Sequence, residues 1–187
     1  MPREIEIKFS VQGLRALRRR LRAAGFQLKT KRTHERNTLY DLPGGVLRAR
    51  KELLRLRSYG SSWKITHKSG GKISRHSSRV ERETSVGDGK TMDAILRALG
   101  YKPSFRYEKF REEWSDGKGQ VVVDHTPIGD FCEIEGPPRW IDATAKKLGV
   151  GRGEYVTKNY ATLFADWKNE NRSEAAEMTF RAIPGRG

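Results

Sequence analysis

The chain is short of cysteine, of hydrophobic residues and of long apolar runs, and each shortage excludes something. A single cysteine, Cys132, leaves no internal disulfide to form. That suits a reducing, cytoplasmic setting, with Cys132 expected to be a small apolar filler on a strand. No uninterrupted apolar stretch approaches the roughly 20 residues a membrane helix needs. The N-terminus opens on charged sequence without the apolar segment of a secretory signal, so neither export nor a membrane partner is expected. Hydrophobic residues make up only 35% of the 187, against 33% charged. A chain that polar either leaves much of itself unfolded or buries charge for a purpose. Acids are also scarce beside bases: 23 against 38, a formal net charge of +15 and a pI near 10.2. Such a balance implies an anionic partner, whether nucleic acid, a phosphorylated small molecule or an acidic surface. Composition alone ranks nucleic acid first; the placement of the charges along the chain decides otherwise.

The length suits one domain. Residues 1–9 alternate charged and aliphatic side chains at period two, the signature of a strand. A helix is expected over 11–24, with Leu14, Leu17, Leu21 and Ala24 as its apolar stripe, Gly25 as its stop and five arginines on its other faces. Further strands are expected over 27–41, 46–57, 62–68, 78–85, 105–114, 120–125 and 130–135. Turn sequences such as Tyr59-Gly60-Ser61 and Pro127-Ile128-Gly129 connect them. Helices are expected over 91–99, 141–148 and 155–167. From about 169 to 187 periodicity fades, and a disordered tail is expected. The histidines His34, His67, His76 and His125 lack the paired spacing of a metal site.

Alternate residues of a strand share a face. On that rule Glu4, Glu6 and Lys8 share one face, Arg55 and Arg57 another, then Lys64, Thr66 and Lys68, then Arg79, Glu81 and Glu83, Lys109 and Arg111, and Glu133 and Glu135. Any one of these faces could simply meet solvent. A merely solvated sheet, however, has no reason to gather carboxylates into paired i, i+2 sets three times over. If the charged faces line a closed barrel, eight strands enclose room for side chains or one small ligand. Carboxylates there offer hard oxygen ligands to Mg²⁺ or Mn²⁺, and lysines and arginines hold phosphate oxygens. Neither set tolerates burial alone. A charged interior turns apolar residues outward, as in an outer-membrane barrel, but the signal peptide and aromatic girdle of that class are missing. Amphipathic helices, at Leu14–Leu21, Met92–Leu99 and Tyr160–Trp167, are expected to clad the barrel instead.

The ordered set Glu4-x-Glu6-x-Lys8, Tyr40-Asp41, Leu54-Arg55-Leu56-Arg57, Thr66-x-Lys68, Arg79-x-Glu81-x-Glu83, Lys109-x-Arg111 and Gly129-x-Phe131-x-Glu133-Ile134-Glu135 resembles the CYTH superfamily. These are the triphosphate tunnel metalloenzymes, among them thiamine, inorganic and RNA triphosphatases and class IV adenylate cyclases. The resemblance covers about residues 2–165. It implies an α+β fold built on a closed eight-stranded antiparallel tunnel over 1–168. It further implies that Lys8, Arg55, Arg57, Lys68, Lys109, Arg111 and Lys158 bind the triphosphate. Glu4, Glu6, Glu81, Glu83, Glu133 and Glu135, with Asp124 nearby, then hold the metal, and Glu4, Glu6 and Lys8 carry the catalysis. The Ser69-Gly70-Gly71 loop after Lys68 departs from the Gly-Pro of many relatives.

The expected activity is metal-dependent hydrolysis of a triphosphate: tripolyphosphate, thiamine triphosphate or a nucleoside triphosphate. The alternative is a class IV cyclase making cyclic AMP and pyrophosphate. A non-catalytic binder of polyphosphate or nucleic acid is the remaining rival, its support the basic face Arg15–Arg22, here read as a solvated flank. The expected partner is a small triphosphate rather than nucleic acid, and the expected state a monomer or homodimer.

Overall fold

A computed structural model describes residues 3–73 and 77–185; His76 lies outside them. Eight strands form one closed, wholly antiparallel barrel: β1 (Arg3–Ser10), β2 (Gln27–Asp41), β3 (Leu53–Tyr59), β4 (Ser62–Ile73), β5 (Ser77–Val86), β6 (Lys102–Ser115), β7 (Gln120–Thr126) and β8 (Gly129–Glu135). Their order around the wall is β1-β5-β4-β3-β2-β6-β7-β8, and β8 returns to β1. Closure removes most of the sheet edge. The hairpins follow local chemistry: the β3–β4 turn is two residues long, and Gly60 holds φ +57 there at no steric cost.

The barrel carries its apolar residues outside. Ile7 and Phe9 of β1, Val121 and Val123 of β7 and Ile134 of β8 form one buried cluster. It is sealed by α1 (Leu14–Ala23) through Leu17 and Leu21, and by α4 (Pro138–Lys147) with Leu148 through Ile141, Ala145 and Leu148. Cys132 is fully buried in this cluster, where burial holds its thiol well above the usual range. A second outer cluster packs Leu96 and Met92 of α3 (Gly89–Ala98) on Tyr40, Leu56, Leu54 and Ile65.

Three expectations need correcting. Residues 46–49 form a four-residue helix, α2 (Val46–Ala49), and not the start of a strand. Asp41 accepts the backbone N–H groups of Leu42, Leu47 and Arg48 and so folds that segment back. Periodicity could not see this side-chain contact. The last helix, α5 (Tyr160–Asn171), also does not clad the outside. Tyr160 and Phe164 pack on Tyr107 and Phe131, and Phe105 stacks on Phe164 at 5.6 Å. Phe105 and Tyr107 share the parity of the inward residue Lys109, so α5 stoppers one end of the lumen.

Finally, the stretch expected to be disordered from 169 is placed against the barrel. α5 runs on to Asn171, and Met178 is fully buried beside Ile183 in the stopper cluster. The backbone at Met178 bonds Arg106 and Glu108 of β6, both at 3.0 Å, a stretch of β6 not paired with β7. Hydrogen-bonding needs of that exposed β6 backbone, rather than apolar periodicity, order this segment.

Candidate functional site

Polar strand faces turned inward leave a cavity of about 810 Å³. Among the described residues, inward strand positions supply eight cations: Lys8, Arg55, Arg57, Lys64, Lys68, Arg79, Lys109 and Arg111. They meet nine carboxylates: Glu4, Glu6, Glu35, Glu81, Glu83, Glu113, Asp124, Glu133 and Glu135. Rim residues Arg82 and Lys158 also line the space. The lumen is therefore within one charge of neutral.

Two charge groupings stand out. In the first, Lys68 Nζ lies 2.5 Å from Glu4 Oε2 and 2.9 Å from Glu81 Oε2. Glu6 faces Glu135 across the β1–β8 ladder. Burial raises Glu4 to about 8; Lys68 pulls it down, while Glu6 and Glu81 push it further up. Burial also raises Glu135, with Glu6 adding to the effect against Lys68. Burial is the main cause at both, neighbouring carboxylates add to it, and, despite burial, Lys68 is close enough to Glu81 to hold that carboxyl below its usual range.

The second grouping is cationic. Arg111 grips Asp124 with Nε at 2.8 Å and Nη2 at 2.7 Å, and donates to Glu133 at 2.5 Å. Lys109 donates to Asp124 at 2.8 Å, and Lys8 lies 3.2 Å from Glu133. Burial works against the charge of Lys8, but Glu133 and Glu6 outweigh it and its pKa rises. Across the lumen Arg57 donates to Glu83 at 2.9 Å, which also takes bonds from Lys64 and Thr66. Arg55 is steadied by the Tyr107 and Thr66 hydroxyls, at 3.5 and 3.4 Å.

All the residues expected at the site thus reach the lumen or its rim, with two differences. Asp124, expected beside the metal ligands, has both oxygens engaged by Lys109, Arg111 and the Tyr160 hydroxyl at 2.7 Å, and is fully buried. It braces the cations from behind. Lys158 sits at the rim, half exposed, with its ammonium turned 2.7 Å from Asp166 of α5.

Two residues were missed. Tyr160, read as part of an apolar stripe, places its ring 4.3 Å from Lys8 Nζ and 4.7 Å from Lys109 Nζ. No pattern reveals that one position of a helix stripe faces charge. Glu35 was legible in principle, because Glu35 and Asn37 share the inward parity of β2. It is fully buried and takes an Asn37 amide bond at 2.9 Å. Lys109, Arg57 and Arg111 stand off at 3.6, 3.7 and 3.8 Å. The Tyr40-Asp41 pair has a structural role: Tyr40 donates to Asp93 of α3, and Asp41 caps α2.

Among the described residues no three acids are drawn together as a ready-made metal cage; the Lys68 ammonium lies between Glu4 and Glu81. The donor set nonetheless fits a hard divalent cation. Its ligands are all carboxylate oxygens, and the raised proton affinity of Glu4 and Glu135 marks a place where positive charge is wanted. A triphosphate entering a lumen already near neutral also brings negative charge that additional cations would balance.

Comparison with known proteins bears on the same architecture. The sequence model of the CYTH domain family matches residues 2–160. A proposed adenylate cyclase of Methanocaldococcus jannaschii is 28% identical over 134 residues, 71% of this chain and 75% of that protein. Among solved structures, a proposed adenylate cyclase of Vibrio parahaemolyticus superposes with a TM-score of 0.78 at 17% identity, over 87% of this chain and 97% of that one. A proposed adenylyl cyclase of Hippeastrum, described as having a dominant triphosphatase activity, gives 0.66 at 20% identity, over 87% and 95%. No described helix is long and apolar enough to cross a membrane.

Proposed function

This chain belongs to the CYTH domain family, and on that footing we propose that it binds a triphosphate in the barrel lumen and hydrolyses it with a divalent metal, Mg²⁺ or Mn²⁺. The observation that carries the reading is the sorting of charge within one cavity. Crowded carboxylates (Glu4, Glu6, Glu81, Glu135) adjoin a braced cation array (Lys8, Arg55, Arg57, Lys109, Arg111).

The cations would take the phosphate oxygens, the arginines through paired N–H donors. Asp124 and Tyr160 hold Lys109 and Arg111 in place beforehand, so little reorganisation accompanies charge development. Glu4, Glu6, Glu81 and Glu135, with Glu83 and Glu133 available, would hold the metal, which supplies Lewis-acid neutralisation of phosphate oxygens. A glutamate of this set left free of the metal would take the proton of the attacking water. Lys68, now between Glu4 and Glu81, would be available to phosphate when those carboxylates hold a cation other than its ammonium.

Hydrolysis is our first reading because most residues of the lining are charged, which serves a triphosphate without requiring a base to be held. The relatives proposed as cyclases keep cyclisation as the second reading. The test is turnover of tripolyphosphate, thiamine triphosphate and ATP with Mg²⁺ or Mn²⁺, scoring every product. Orthophosphate release is expected. Cyclic AMP with pyrophosphate would replace this reading with the second, and no metal-dependent product from any substrate would overturn both.

A further inference from the structure

We propose that the outer face of α1, with the adjoining end of α4, binds the phosphate backbone of a nucleic-acid duplex independently of the tunnel. Counted over the described residues the lumen is within one charge of neutral, so it accounts for almost none of the net charge of +15. A triphosphate site does not account for it.

The densest share of that excess, five charges, lies on one helix. The ten residues of α1 include Arg15, Arg18, Arg19, Arg20 and Arg22 and no acid. Among the described residues, Arg18 alone of the five is held by a carboxylate, Glu112 at 2.6 Å. Arg15, Arg19, Arg20 and Arg22 are exposed. Arg20 donates to the carbonyl of Leu148 at 3.0 Å, which draws the exposed Lys146 and Lys147 alongside. Like charges three and four residues apart weaken a helix, whereas an ordinary solvated face mixes signs. α1 tolerates the repulsion because Leu17 and Leu21 anchor it in the core.

The same anchoring selects the partner. The apolar side of α1 is spent on the barrel, leaving none to enter a bilayer. The basic groups are chiefly arginines, whose forks match phosphate oxygens. Trp114, the ring beneath Arg22, is buried and so is no platform for stacking unpaired bases. Backbone recognition of a duplex without sequence preference is what remains. A helix of this length spans about 15 Å, enough for about four phosphate contacts. The salt dependence should then have a log–log slope of about −3 to −4.

The experiment titrates a fluorescent duplex of about 20 base pairs, two helical turns, with the full chain over a range of salt. Binding with that slope is expected, undiminished by excess tripolyphosphate. Arg15→Glu with Arg19→Glu should weaken it at least tenfold and reduce the slope by about 2. The pair should leave thermal unfolding and tripolyphosphate turnover unchanged. Arg15→Gln with Arg19→Gln should show a smaller loss of the same kind, and stands in should the reversal misfold. Displacement by tripolyphosphate, equal affinity in both variant pairs, or variant-sensitive binding to phosphatidylserine vesicles but not to the duplex would each overturn the proposal. Loss of turnover in the native chain with duplex binding intact would instead count against the tunnel reading alone.

Discussion

Replacing Glu35 by glutamine should make the empty protein less stable and its response to polyphosphate larger. Glu35 is fully buried among Lys109, Arg111, Arg55 and Arg57. Burial pushes its carboxyl up, but those four cations outweigh burial and bring it to about 2, from 4.5. At about 1.4 kcal/mol per pKa unit, the ionised form is favoured in the folded state by about 3 kcal/mol. A neutral isostere forfeits that. The pKa is depressed, so the stabilisation is complete above about pH 4.5 and is lost as pH falls toward 2. For a chain of this size the loss at pH 7 corresponds to a melting temperature lower by about 6–12 °C. Tripolyphosphate offers the same cations a different anion, so it should raise the melting temperature of Glu35→Gln more than that of the native chain. Calorimetry of both proteins from pH 7 to pH 2, with and without tripolyphosphate, reads all of this. Equal melting temperatures at pH 7, or a gap that persists at pH 2, would refute the idea that Glu35 is an internal counter-anion.

Glu6→Gln should reduce metal-dependent turnover by about two orders of magnitude or more without changing the circular dichroism spectrum; normal turnover would remove Glu6 from the site. Asp124→Asn should raise KM for the triphosphate about tenfold by loosening Lys109 and Arg111, equivalent to about 1.4 kcal/mol, with the metal-concentration dependence unmoved. A shifted metal dependence would return Asp124 to the ligands. Met178→Ala should cost about 2–5 kcal/mol in urea unfolding, whereas a disordered tail predicts no change. Leu21→Ala, at a fully buried position joining α1 to the barrel, should cost a similar amount; an unchanged midpoint would show that α1 is not anchored as described.

The period-two alternation of β1, β3, β4, β5 and β8 was enough to group Glu4, Glu6 and Lys8, Arg55 and Arg57, Lys68, Glu81 and Glu83, and Glu133 and Glu135 on the charged faces of their strands. Side-chain direction along a strand is a local property. The outward stripes of α1 and α3 were legible for the same reason, since a helix repeats its faces locally.

What local pattern could not supply was which surfaces meet. The stripe of α5 reads like that of α3, yet it closes the lumen because Tyr107 and Phe131 present an apolar end there. Met178 is ordered by unpaired backbone on a strand some seventy residues away. Asp124 reads as one more acid near the metal, but Lys109, Arg111 and Tyr160 converge on it from two other elements. The charge total belonged to the sequence from the start. Only closure of the barrel divided it into a balanced interior and a strongly basic exterior, because charges pair across a lumen according to strand register and not according to composition.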